Sequence, residues 1–101
     1  MKPVAFSPAA RADLASIALY IADDNPDGAE SIVAELVERA KAIADHPASF
    51  PARDDINPGL RRARHGRYLI FFRDLPGVVR IVRILHAARD VAALGEQGGF
   101  A

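Results

Sequence analysis

Cysteine and tryptophan are absent, the only methionine is Met1, and lysine does not recur after Lys41. Without cysteine there is neither a disulfide framework nor a thiolate metal site, and a reducing compartment, the cytoplasm, is the expected home. The N-terminus carries no apolar signal-type core. The longest apolar runs fall far short of the roughly 20 residues that cross a bilayer, so export and insertion are both unexpected. A long basic run of the kind found in DNA-binding arms is missing too, and direct sequence-specific nucleic-acid binding is not expected. Neither an internal repeat nor a low-complexity segment is present.

What remains is a chain of 101 residues, long enough for one domain (residues 1–101) that hides roughly two thirds of its unfolded surface. Its 13 basic and 13 acidic side chains cancel, but not locally. Residues 1–58 hold 5 basic and 10 acidic side chains and residues 59–101 hold 8 and 3, a surplus of five charges of opposite sign in each part. Eleven of the basic residues are arginine, whose fork suits bidentate pairing with carboxylate or phosphate.

The strongest strand signal is Tyr68 to His86, YLIFFRDLPGVVRIVRILH. Two runs rich in β-branched and aromatic residues flank the breaker Leu75-Pro76-Gly77, which predicts an antiparallel hairpin of strands Tyr68–Asp74 and Val78–His86. Both are apolar at either parity, as central strands are. Arg73, Arg80 and Arg83 punctuate them, and a guanidinium is not left unpaired in a core. One sheet face is therefore expected to stay open to a partner, with Ile81 and Leu85 beside Arg83 as an exposed mixed patch.

Upstream, Lys2–Phe6 reads as a first strand, at an edge because of Pro3. Ser7-Pro8 supplies an N-cap hydroxyl and an N1 proline, and Leu14, Ile17, Ala18 and Ile21 form a helical stripe. Asn25-Pro26 repeats the device, with Asp27 and Glu30 at the positive end of the helix dipole. This second helix runs on Ala29, Ile32, Val33, Leu36, Val37, Ala40 and Ile43 and stops near Asp45, before His46-Pro47. The short link predicts an antiparallel helical hairpin. Residues 47–59 read as loop, Leu60–His65 as an outer strand, Ala87–Leu94 as one or two helical turns, and 96–101 as a frayed tail. The fold class is α+β: β-α-α-β-β-β, three antiparallel strands and a short C-terminal helical turn.

This order, with the stretches SPAARADLASIALYIA (Ser7–Ala22), NPDGAESIV (Asn25–Val33), PGLRR (Pro58–Arg62), YLIFFR (Tyr68–Arg73) and RILHAARD (Arg83–Asp90), resembles the RelE/ParE superfamily of type II toxin–antitoxin toxins, and most of all its ParE branch. The resemblance implies a bacterial growth inhibitor that binds DNA gyrase and is neutralised by a ParD-like antitoxin in a hetero-oligomer. It implies no cofactor. The other branch, the RelE-like ribonucleases, cuts messenger RNA on the ribosome. Those enzymes draw lysines from around the second strand and an aromatic or imidazole group near the C-terminus. Here there is no lysine after Lys41, and Val91–Ala101 offers only Phe100.

Cutting RNA needs a base, a cation at the phosphate and an acid. Arg61, Arg64, Arg83 and His86 form the candidate set for that alternative. The residues expected to touch antitoxin or target are Arg61, Arg62, Arg64, Arg73, Ile81, Arg83, Leu85, His86 and Arg89. Against both stands the plainer reading, favoured on composition, that the arginines pair with the acidic helices or with an antitoxin carboxylate and that the histidines are structural. No metal site is expected, since His46, His65 and His86 lack neighbouring ligand motifs. Asp23-Asp24 and Asp54-Asp55 read as solvated loops, Tyr20 and Tyr68 as core or interface.

Overall fold

A computed structural model describes residues 2–89 and 91–100; Asp90, the last residue of the RILHAARD stretch, and Ala101, the end of the expected tail, lie outside them. The elements follow the order β1 (Val4–Phe6), α1 (Pro8–Ala22), α2 (Pro26–Ile43), a 3-10 turn (Pro47–Ser49), β2 (Leu60–His65), β3 (Tyr68–Leu75), β4 (Val78–His86) and α3 (Val91–Glu96). The fold is α+β, as the residue patterns predict.

Local signals place the helices. The Ser7 hydroxyl accepts from Ala10 N at 3.0 Å and the Asn25 side chain from Gly28 N at 3.0 Å, each followed by an N1 proline. The α2 helix ends at Ile43, slightly before Asp45, with Ala44 as its C-cap. The two helices pack together, and α1 lies on β4.

The sheet has four strands in the order β1-β4-β3-β2, because β1 joins β4 in parallel through Val4, Ala5 and Phe6 opposite Val79, Arg80 and Ile81. The other pairs are antiparallel. Between β3 and β4 the register steps: Phe71 faces Arg83 while Phe72 faces Ile81, so Val82 has no opposite number. That bulge leaves Ile81 and Ile84 in the helix-side core and Val82 and Leu85 in the other.

Two cores result. Leu36, Ala40, Ile43, Ile70, Phe72, Ile81 and Ile84 fill the layer under the helical hairpin. On the opposite face Leu60, Leu69, Phe71, Val82, Leu85 and Phe100 form a second cluster, edged by Ile56, Val91 and Leu94. The expectation of an open sheet face is thus overturned: the chain's own C-terminal segment roofs it. Ile81 and Leu85, expected on an exposed patch, are 0% and 2% exposed.

The segment read as frayed is folded back instead. Gly98 at φ 75° and Gly99, where a Cβ would stand 2.5 Å from the Leu94 side chain, turn the chain sharply. Gly99 N donates to Leu94 O at 2.9 Å. Phe100 enters the core edge-on to Phe71, ring centroids 4.7 Å apart, and is fully buried. A glycine-rich composition signals a loose end only when nothing apolar follows it, and here one phenylalanine supplies enough burial, roughly 2–3 kcal/mol, to hold the end down.

Ser7 binds twice. Besides capping α1, its hydroxyl donates to Val82 O at 2.7 Å, and its backbone N donates to Ile81 O at 2.9 Å. Ser7→Ala removes the cap and strips Val82 O of its donor, so it is expected to cost about 2 kcal/mol and roughly 10 °C in Tm, with Ser7→Thr near wild type. Equal melting of wild type and Ser7→Ala in calorimetry would disprove the double role. Phe100→Ala is expected to cost about 3 kcal/mol in urea unfolding; a value within experimental error of zero would mean that the second core is not closed by this residue.

Candidate functional site

The strand arginines divide into those spent on the fold and those left over. Arg83 is the most constrained: Nε and one terminal nitrogen donate to the Asp13 carboxylate at 2.7 and 2.8 Å, and the other terminal nitrogen reaches Gly99 O at 3.2 Å. Asp13 also accepts from Ile84 N at 2.9 Å. The two side chains are 14% and 11% exposed, and the hydrogen bond to Asp13 raises the guanidinium above its ordinary pKa while burial opposes it. Arg73 binds Pro58 O at 2.6 Å, the Asn57 side chain, and Phe100 O at 3.0 Å, joining the loop before β2 to the C-terminal segment. Arg61 donates to Phe50 O at 2.7 Å under the helical layer.

Arg61, Arg73 and Arg83 are thus bonded within the chain: Arg83 pairs with a carboxylate of an acidic helix, as the plainer reading had it, whereas Arg61 and Arg73 bond backbone carbonyls and Asn57 instead. Ile81 and Leu85 serve the fold by burial. Arg62, Arg67, Arg80 and Arg89 make no side-chain hydrogen bond or ion pair among the described residues, and Arg64 has only a 2.9 Å bond to Gly66 O.

Most of the uncommitted cations share one end of the sheet. The β2–β3 turn, reversed by Gly66 at φ 58°, carries Arg67, and Ala87 N donates to Arg67 O at 2.8 Å, so the turn abuts the exit of β4. Arg64 precedes the turn, His86 ends β4 and Arg89 follows it; these three and Arg67 are exposed. Across the strands His65, Tyr68 and His86 stand in one row. Tyr68 and His86 meet edge-on at 5.8 Å, and His65 Nε2 lies 3.8 Å from a Glu35 carboxylate oxygen on α2. Beside this row opens a cleft of about 270 Å³ between α1 and β4, lined among others by Ser16, Tyr20, Tyr68, His86 and Arg89. His86 Nδ1 accepts from Ala88 N at 3.1 Å, which leaves Nε2 to carry the proton of the neutral ring.

Such a surface can hold a carboxylate or phosphate by charge and flank it with aromatic rings. It is poorly built for general acid–base work. Of Arg61, Arg64, Arg83 and His86, two are consumed internally, and the register puts Arg64 in the row of Leu69 and Leu85, facing away from the row of His86. No group of three or more His, Asp or Glu able to hold a metal occurs among the described residues.

One member of this surface was missed on sequence: Arg67 sits in a turn, where one arginine among many carries no periodic signal. Tyr20, expected in core or interface, is 80% exposed at the cleft and so does not belong to the core.

A family model described as the ParE toxin of the type II toxin–antitoxin system parDE matches residues 4–91. The chain belongs to the ParE toxin family. Among solved structures, a chain of the chromosomal ParDE system from P. aeruginosa superposes with a TM-score of 0.73 at 24% identity, covering 85% of this chain and 96% of that one. A chain of the toxin–antitoxin complex RelBE2 from Mycobacterium tuberculosis gives a TM-score of 0.61 at 28% identity, covering 84% and 96%. No curated protein sequence is a match.

Breaking the Arg83–Asp13 pair tests the division of labour. Arg83→Ala is expected to lower stability by about 3 kcal/mol, and the cycle with Asp13→Ala to show a coupling above about 1.5 kcal/mol. An Arg83→Ala protein of native stability that has lost only its growth-arresting activity would move Arg83 from the fold to the target surface.

Proposed function

We propose that this ParE toxin acts in the cytoplasm by docking onto DNA gyrase, without covalent chemistry of its own, and that a ParD-like antitoxin neutralises it. The observation that carries this reading is the cation-rich end of the sheet, where Arg64, Arg67, His86 and Arg89 are exposed and Arg67 and Arg89 make no side-chain hydrogen bond or ion pair among the described residues. A flexible acidic segment of an antitoxin fits the same charges, which makes neutralisation and target binding competitive.

The ribosome-dependent ribonuclease remains the one rival with an observation behind it, namely the row His65, Tyr68 and His86 beside Arg89. Purified toxin assayed in parallel on gyrase supercoiling and on mRNA in a translating extract separates the two. Supercoiling is expected to fall with message intact. The double variant Arg67→Ala/Arg89→Ala is expected to need about tenfold more protein for the same inhibition at unchanged Tm, a loss of roughly 1.4 kcal/mol. Message cut in the ribosomal A site, with supercoiling untouched, would overturn the proposal.

A further inference from the structure

The outer edge of β1 is left without partners by the fold. In the parallel ladder with β4 the inward-facing groups are used: Val79 N donates to Pro3 O and Ser7 N to Ile81 O, each at 2.9 Å, and the register sets Ala5 between them. Alternation therefore turns the N–H and C=O of Val4 and Phe6 away from the sheet, of which β1 is an outermost strand. The backbone of neither residue makes another hydrogen bond among the described residues. Beyond β1 the edge of β4 is closed by Ser7 and Asp13, but no side chain bonds to the edge of β1 itself.

The usual guards of an edge are missing as well. The strand reads Val4-Ala5-Phe6, without charge or proline. Lys2, just before it, is bent back onto Asp74 and Leu75 O. On the helix side of this edge runs a groove of about 530 Å³ whose walls include Val4, Phe6, Lys2, Glu38, Lys41 and Asp45. Its charged side chains are two of each sign and the whole chain is formally neutral, so two copies of this face do not repel each other.

We infer that β1 pairs with β1 of a second copy, antiparallel across a two-fold axis at Ala5, joining two four-stranded sheets into one. In that register Val4 lies opposite the partner's Phe6, and each such pair exchanges both backbone bonds, so all the outward groups of both edges are satisfied. Ala5 meets the partner's Ala5 at the narrow, non-bonded position, where a small, exposed side chain allows close approach. On α2, Glu38 and Lys41 stand three residues apart on the groove wall. A two-fold axis reverses their order, so each faces the opposite charge on the partner's helix. Any extended peptide would satisfy the backbone; this reversal of charge is what favours a second copy. The contact is small, and a dimer of micromolar affinity or weaker is expected. It uses the start of β4 rather than its exit, so both cationic sheet ends stay free and the inference is independent of the gyrase reading.

The test is sedimentation equilibrium of the full chain from about 10 μM to about 1 mM, with amide hydrogen exchange followed over the same range. A reversible dimer is expected, with the amides of Val4 and Phe6 protected only at high concentration. Val4→Pro removes an outward N–H that the monomer does not use, and Ala5→Lys sets two lysines face to face at the axis. Each is expected to weaken the dimer about tenfold or more, with Tm little changed. Glu38→Lys alone is expected to weaken it and Glu38→Lys/Lys41→Glu to restore it, because swapping charges on both copies preserves the reciprocal pairs. A monomer at every concentration, a dimer indifferent to both edge variants, a double swap that fails to restore, or protection confined to other amides would each overturn the inference. So would amides of Val4 and Phe6 protected only when an antitoxin is added, since the edge would then belong to that partner.

Discussion

The uncovered edge of β4 is the constraint around which this molecule is arranged. β1 is only three residues long and pairs with β4 as far as Ile81, so the backbone groups beyond it face outward at the middle of the chain's most apolar strand. Helix α1 supplies the missing partners with side chains: the Ser7 hydroxyl takes Val82 O and the Asp13 carboxylate takes Ile84 N. An edge that would otherwise invite another strand is closed by a helix, and the bulge at Val82 interrupts the regular ladder on the strand's other side. Arg83 then neutralises Asp13 and extends to the backbone at Gly99, so one buried ion pair links α1, the sheet and the C-terminal turn.

That arrangement explains which cations are available for function. An arginine within a sheet core must be bonded, and Arg61, Arg73 and Arg83 are bonded to carbonyls and one carboxylate of the chain itself. Those at the β2–β3 turn and after β4 carry no such obligation. The split between acidic N-terminal and basic C-terminal parts becomes a division between the helical hairpin and the end of the sheet.

Elements defined by neighbours in sequence were legible before any coordinates. Ser7-Pro8 and Asn25-Pro26 announce their helices because capping involves residues three apart, and Leu60–His65 and Val78–His86 are bounded by turn residues. What was hidden depends on contacts far along the chain. Nothing local tells that Val4–Phe6 lies parallel to β4, that Val82 is unopposed, or that a glycine-rich tail ends in a buried phenylalanine. The open sheet face was inferred from the strand arginines, which in fact find their partners within the chain, while the apolar parity of the same strands demands a roof. The site suffered correspondingly: Arg83 has the pattern of a contact residue, and only its distance to Asp13 shows it occupied. His86 was singled out because it closes a strong strand and Arg89 because it lies in the RILHAARD stretch; Arg67 was not, because a turn has no period.

The joining of β1 to β4 also sets a timetable. Its register ties residues 4–6 to residues 79–81, and the Ser7 to Val82 bond spans 75 positions. During synthesis the first helix emerges with its stripe uncovered, well before β4, the strand that finishes the sheet. Contacts of such long range form slowly, since loop closure must precede the gain. The surface at the end of the sheet, assembled from the β2–β3 turn and the exit of β4, therefore exists only after the strand farthest along the chain has joined the first.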